Sequence, residues 1–184
     1  MQGIFCQECF SWDRVRCLFG LDYHDKAIQS LLFSANINPN ALWREMRVGI
    51  YSMPPYDQQP SPIAEIDLIP SYHVRLRFKH ARLVSGARTS NPMTFVFASL
   101  TYSLESEHVK DRFLATLPYG IVSTDSLDTI CERVGSKPTS QELGDKDGYV
   151  AWEDINPVLH ILFSTCEQRS LRINVYLPPT RGAI

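Results

Sequence analysis

Cys6 and Cys9, in the run "CQEC", are followed by Cys17 and His24, so four residues of zinc-binding type fall close together. Structural zinc sites bring their ligands as two close pairs on tight turns, whereas here the second pair would be a lone Cys and a lone His beside a helix. The tract therefore reads as an amphipathic segment that uses Cys as a small apolar residue, with a small zinc- or cysteine-dependent enzyme as the alternative to be tested. A second imitation of a metal site is "LGDKDGYVAWED", Leu143 to Asp154, which places Asp145, Asp147, Gly148 and Asp154 as a calcium loop would. Leu stands where that loop needs its first carboxylate, and Asp replaces the bidentate Glu at its end. The tract reads instead as a hairpin closed by Asp147-Gly148 that delivers Tyr149 and Trp152 into the next strand. The histidines, His24, His73, His80, His108 and His160, have no ligand spacing, no Ser or Cys lies in a nucleophile-elbow context, and the 9 glycines form no phosphate loop. No catalytic residue, metal or cofactor is assigned, and the chain is read as a binding protein and not an enzyme.

Two charged tracts are the candidate partner-binding residues. In "YHVRLRFKHARL" a strand would turn Val74, Leu76 and Phe78 to the core and set His73, Arg75, Arg77 and Lys79 in one basic row. Such a row serves either as edge charge against aggregation or as an electropositive face for an acidic partner. The opposite sign gathers at Glu142, Asp145, Asp147, Glu153 and Asp154, interleaved with Tyr149 and Trp152. Acids around exposed aromatics suit a basic protein surface, and the competing arrangement is a polar loop with its aromatics turned inward.

These residues must be held by a frame, and composition bounds it. The chain has 184 residues, 44% hydrophobic and 21% charged, with a formal net charge of -2, which gives no global pull toward nucleic acid or membrane. Cys, Asp and Arg interrupt the apolar stretches near Met1, so neither a signal peptide nor a span is expected, and the odd count of 5 cysteines fits reduced thiols in the cytoplasm.

A helix capped by Asp22 or Asp25 would carry Ala27, Ile28, Leu31, Leu32 and Ala35 on one face and stop at Asn36 and Pro39. A second, capped by Thr124 or Asp125, would carry Leu127, Ile130, Cys131 and Val134 and stop at Gly135 and Pro138. Strand-like text follows each: "VGIYSM", "AEIDLI" and "YHVRLRFKHARLV" in the first half, "GYVAWED", "LHILFS" and "SLRINVYL" in the second. "TFVFASLTYSL" reads as a strand or a buried helix end, "ESEHVKDRFLATL" as a short helix, and the proline-rich "SMPPYDQQPSPI" as a loop. The expectation is an α+β fold in one compact domain: an N-terminal segment (1–16) and two similar helix-plus-antiparallel-sheet units (17–100 and 101–184), arranged as an internal duplication would be.

The stretch from "LPYGIVSTDSLDTICERVGSKP" through "DGYVAWEDINPVLHILFS" to "LRINVYLPP", about residues 114 to 178, resembles small bacterial immunity proteins encoded beside secreted polymorphic toxins, including type VI effectors. The resemblance implies a stoichiometric inhibitor, kept in the producing cell, that masks a toxin's active site or blocks its maturation. Its partner would be the cognate toxin or effector, with no nucleic acid and no membrane involved. The alternative of the same binding class is an adaptor or chaperone that loads an effector onto a secretion apparatus.

Overall fold

Strict alternation in "VRLRFKH" builds β2 (Val74–His80): Val74, Leu76, Phe78 and His80 are buried, while Arg75, Arg77 and Lys79 point the other way. The computed structural model describes residues 7–41, 63–104 and 115–180. Within them seven strands form one sheet: β1 (Ile63–Leu68), β2, β3 (Phe95–Ser103), β4 (Ser140–Leu143), β5 (Asp147–Trp152), β6 (Val158–Ser164) and β7 (Arg169–Tyr176). Their order is β1-β2-β3-β7-β6-β5-β4, and every neighbouring pair is antiparallel. "VGIYSM", most of the proline-rich tract and most of "ESEHVKDRFLATL" lie outside the described residues.

The α-helices with both ends among the described residues are α1 (Trp12–Val15), α2 (Lys26–Ser34), α3 (Ile69–Tyr72) and α4 (Leu127–Val134). Asp25 caps α2 by accepting from the Ala27 N–H at 2.8 Å, and Asn36, with φ 58°, turns the chain out of it. The cap of α4 is one residue later than the sequence suggested. Ser126 accepts from the Thr129 N–H, while Asp125 is occupied by the Val122 N–H at 2.7 Å and by Arg133 at 2.8 Å. Gly135 ends α4 with φ 83°, a conformation that favours glycine.

Both longer helices lie on the same side of the sheet. Ile28, Leu31 and Leu32 of α2 and Ile130 of α4 join Phe78, Phe97, Leu100, Val150, Ile161, Ile173 and Val175 in one apolar cluster. Tyr23 meets Phe78 edge-on at 5.2 Å, the Tyr72 hydroxyl donates to the Ala35 carbonyl, and the Tyr102 hydroxyl donates to the Phe10 carbonyl at 2.9 Å. Each half thus writes a helix and then a meander running from the edge of the sheet to its middle, where β3 meets β7. That order is the one a duplicated unit would have, although plain meanders produce it too. The unit boundary expected at residue 100 falls inside β3.

β3 has two readings in sequence because Phe95 to Leu100 are all buried. A bulge contributes one of these residues, since Arg77 pairs with Ser99 but Phe78 with Phe97, leaving Ala98 extra, and Val96 and Ser99 are buried opposite Lys79 and Arg77. Beside it, the Gly20 N–H donates to Phe97 O and the Phe97 N–H to Leu21 O, so the chain before α2 covers this end of the strand.

Candidate functional site

Among the described residues the two longer helices, α2 and α4, pack on the core side, and Ile69 of α3 borders the second face of the sheet. Register decides what that face displays. Glu65 and Asp67 of β1 stand directly opposite Arg77 and Arg75 of β2. Arg75 in turn faces Thr101 of β3, Thr101 faces Asn174 of β7, Asn174 faces His160 of β6, and His160 faces Ala151 of β5. One pleat further along, Arg172 pairs with Leu162, and Leu162 with Tyr149. This face carries a hollow of about 290 Å³ lined by Arg75, Arg77, Arg172, Asn174, Tyr149 and His160 among others.

The basic row exists, but its charge is partly answered. Arg75 Nη2 bonds Asp67 Oδ2 at 2.9 Å, and its Nε lies 3.2 Å from Glu65 Oε1. Arg77 approaches Glu65 Oε2 through Nη2 at 2.5 Å and through Nε at 3.0 Å. The Ile69 N–H, and then Arg75, hold the Asp67 carboxyl below its ordinary range. Lys79 has no carboxylate partner among the described residues, and burial, then Arg77, pulls its pKa down. His73 is not part of the row: it has φ 57° and precedes the strand.

Asn174 comes to this face without having been singled out from sequence, and so does His160, whose alternation in "VLHILFS" reads as that of a hydrogen-bonded sheet residue and not of a catalyst. Asn174 Oδ1 accepts from Ser99 Oγ at 2.9 Å and from Thr101 Oγ1 at 3.0 Å, which turns its NH2 group the other way. His160 meets Tyr149 edge-on at 5.1 Å, and its enclosed Nε2 has no hydrogen-bond partner. Burial lowers the His160 pKa, Glu153 opposing it, and burial followed by Glu153 raises that of Tyr176 on the same face. The alternation of "LRINVYL" would have put Arg172, Asn174 and Tyr176 on one side of a strand. Nothing local says that this side joins Arg75 and Arg77.

No family model matches the chain, and neither a curated protein nor a solved structure does.

The acidic candidates divide. Asp145 and Asp147 are exposed at the β4–β5 turn, and Glu153 and Asp154 are exposed beyond the opposite end of β5. The strand between them, rising about 3.3 Å per residue, holds the two pairs roughly 20 Å apart, so they are two sites and not one cluster. Turn formation falls to Gly144, Asp145 and Lys146, with the Gly144 N–H donating to Asp147 O at 2.9 Å. Gly148 lies inside the strand, opposite Leu143.

Trp152 is the clear correction. It is 0% exposed, sits in the core with Val150, and donates Nε1–H to the Ser136 carbonyl at 3.0 Å just past α4. A side chain so placed cannot meet a partner. Tyr149, three residues away and so on the opposite side of the strand, is half-buried on the open face and remains a candidate.

Of the cysteine tract, Cys9 is buried and donates to the Ser34 carbonyl at 3.3 Å, Cys17 is exposed, and Cys6 lies outside the described residues. Among the described residues no three His, Cys, Asp or Glu side chains are grouped to hold a metal, and no helix is long and apolar enough to cross a membrane.

Proposed function

We propose that this chain is a non-enzymatic immunity protein that neutralises a cognate bacterial toxin or effector by tight binding in the cytoplasm of the producing cell. The observation that carries the reading is the open sheet face. An antiparallel sheet can bury one face and leave the other for a different use, and here the second face offers Tyr149, Leu162 and Tyr176 among arginines. Tyr and Arg are the residue types that dominate interface hot spots. Asp145 and Asp147 at one rim, with Glu153 and Asp154 at the other, supply charge for selecting one partner over its relatives. The resemblance of residues 114 to 178 to immunity proteins supports the class.

The test is genetic and then biochemical. The chain and the product of the neighbouring open reading frame are co-expressed, with survival and complex formation as readouts. Protection by a stoichiometric complex is expected, with affinity reduced at least about tenfold in the Tyr149→Ala, Tyr176→Ala double variant, the scale of a lost hot spot. Deletion that abolishes delivery of an effector without sensitising sibling cells would replace this reading with the adaptor.

A further inference from the structure

The hollow on the open face is selective in its chemistry. Its lining holds three guanidinium groups, from Arg75, Arg77 and Arg172, and no carboxylate. Glu65 and Asp67 stand on β1, outside the lining, and engage Nη2 of Arg75 and both Nε and Nη2 of Arg77. A guanidinium carries five N–H donors, so Nη1 of Arg75 and Nη1 of Arg77 are left without a partner among the described residues. The two acids thus fix the planes of the guanidiniums from behind, which is how a binding group is held ready before its ligand arrives. Asn174 adds to the same polarity. Its Oδ1 is taken by the Ser99 and Thr101 hydroxyls, so its Nδ2 has two donors and no acceptor among the described residues. The enclosed His160 Nε2 also lacks a partner. A concave site rich in donors and positive charge, and poor in acceptors, favours one class of occupant.

We propose that this hollow is a binding site for an oxyanion, a carboxylate or phosphate group held by Arg172, Asn174 and the Nη1 groups of Arg75 and Arg77. At about 290 Å³ it is at the small end of ligand sites, so it takes a compact anion or the anionic tip of a larger molecule. The proposal does not depend on whether the partner is a toxin.

Titration calorimetry and backbone-amide NMR test it with three probes used separately: citrate, inorganic phosphate and a short glutamate peptide. Asn174→Asp is the informative variant, because it retains both hydroxyl contacts while replacing the donor NH2 with a negative oxygen; Arg172→Gln is the second, should the first fail to fold. Saturable binding of citrate or phosphate is expected, with amide shifts centred on Tyr149, Arg172 and Asn174 and at least an about tenfold loss in either variant. If only the peptide binds, with the same loss, the site stands and its anion is carried on a polypeptide. If no probe binds up to about 10 mM, or if binding is unchanged in both variants, the proposal is wrong.

Discussion

Trp152 and Tyr149 lie on one strand but on opposite faces, and replacing each in turn tests the assignment of those faces. Trp152 is fully enclosed and its indole N–H binds the Ser136 carbonyl. Trp152→Phe removes that bond, worth roughly 1 kcal/mol because a carbonyl near the surface can find water, and leaves a void of roughly 40 Å³, costing about 1 kcal/mol more at ~24 cal/mol per Å³. The expected loss is ~2 kcal/mol, or a melting temperature lower by ~4–8 °C for a chain of this size. Trp152→Ala should cost ~4 kcal/mol, in the range for deleting a buried aromatic. Tyr149→Ala loses a half-exposed ring and its edge-on contact with His160, at most ~1 kcal/mol. Urea unfolding followed by far-ultraviolet circular dichroism measures all three, with m unchanged if the unfolded state is the same. A Trp152→Phe unfolding free energy within ~0.5 kcal/mol of the parent, or a Tyr149→Ala loss as large as that of Trp152→Phe, would refute the placement of the two faces.

Gly148→Ala should destabilise by more than ~2 kcal/mol, since a Cβ there would meet Glu142 O at 2.2 Å and Leu143 Cα at 2.6 Å and push β4 off the sheet edge; loss of amide-exchange protection in β4 checks it. The reversals Asp145→Lys, Asp147→Lys and Glu153→Lys, Asp154→Lys should have additive effects on partner affinity, because the pairs are too far apart to couple, and should hardly move the melting temperature; a double-mutant cycle reads the coupling directly. His80 and His160 are both held below the ordinary value of 6.5, His80 by burial and then Arg82, His160 by burial against the pull of Glu153. The unfolded chain therefore binds protons first as pH falls, so stability is full above about 6.5 and declines below it, by no more than ~1.4 kcal/mol per pH unit for each group; urea midpoints from pH 7.5 to 5 should show the decline, reduced in His80→Gln.

Where local grammar and packing agree, the fold was legible. The alternation in "VRLRFKH" sorted Val74, Leu76 and Phe78 from Arg75, Arg77 and Lys79, and the caps and stops around Asp25 and Gly135 bounded α2 and α4. In "YVAWED" alternation paired Val150 with Trp152 and set Tyr149 apart, but each side mixed an apolar residue with an acid. Only the position of α4 determines which side is the core, and that is a tertiary fact. The bulge at Ala98 interrupted the alternation of β3, which survives only from Leu100 to Ser103. The acidic residues misled for a related reason: proximity along a strand is separation in space, whereas proximity across a sheet comes from register.

The hollow shows the same limit most strongly. Arg75 and Arg77 come from the first half of the chain, and Tyr149, His160, Arg172 and Asn174 from the second, so the site has no local spacing to detect. It exists only because β3 and β7 lie side by side, pairing Leu100 with Val175 and Tyr102 with Ile173 on the core side and Thr101 with Asn174 on the open side. Apolar alternates on these strands hold the two halves together, and the residues between them are left to face outward. Arg75, Arg77, Thr101 and Asn174 lie outside the buried apolar cluster, so their identities can vary with less effect on the core. A seam of this kind lets one fold keep its stability while its outward residues are matched to a particular partner or ligand.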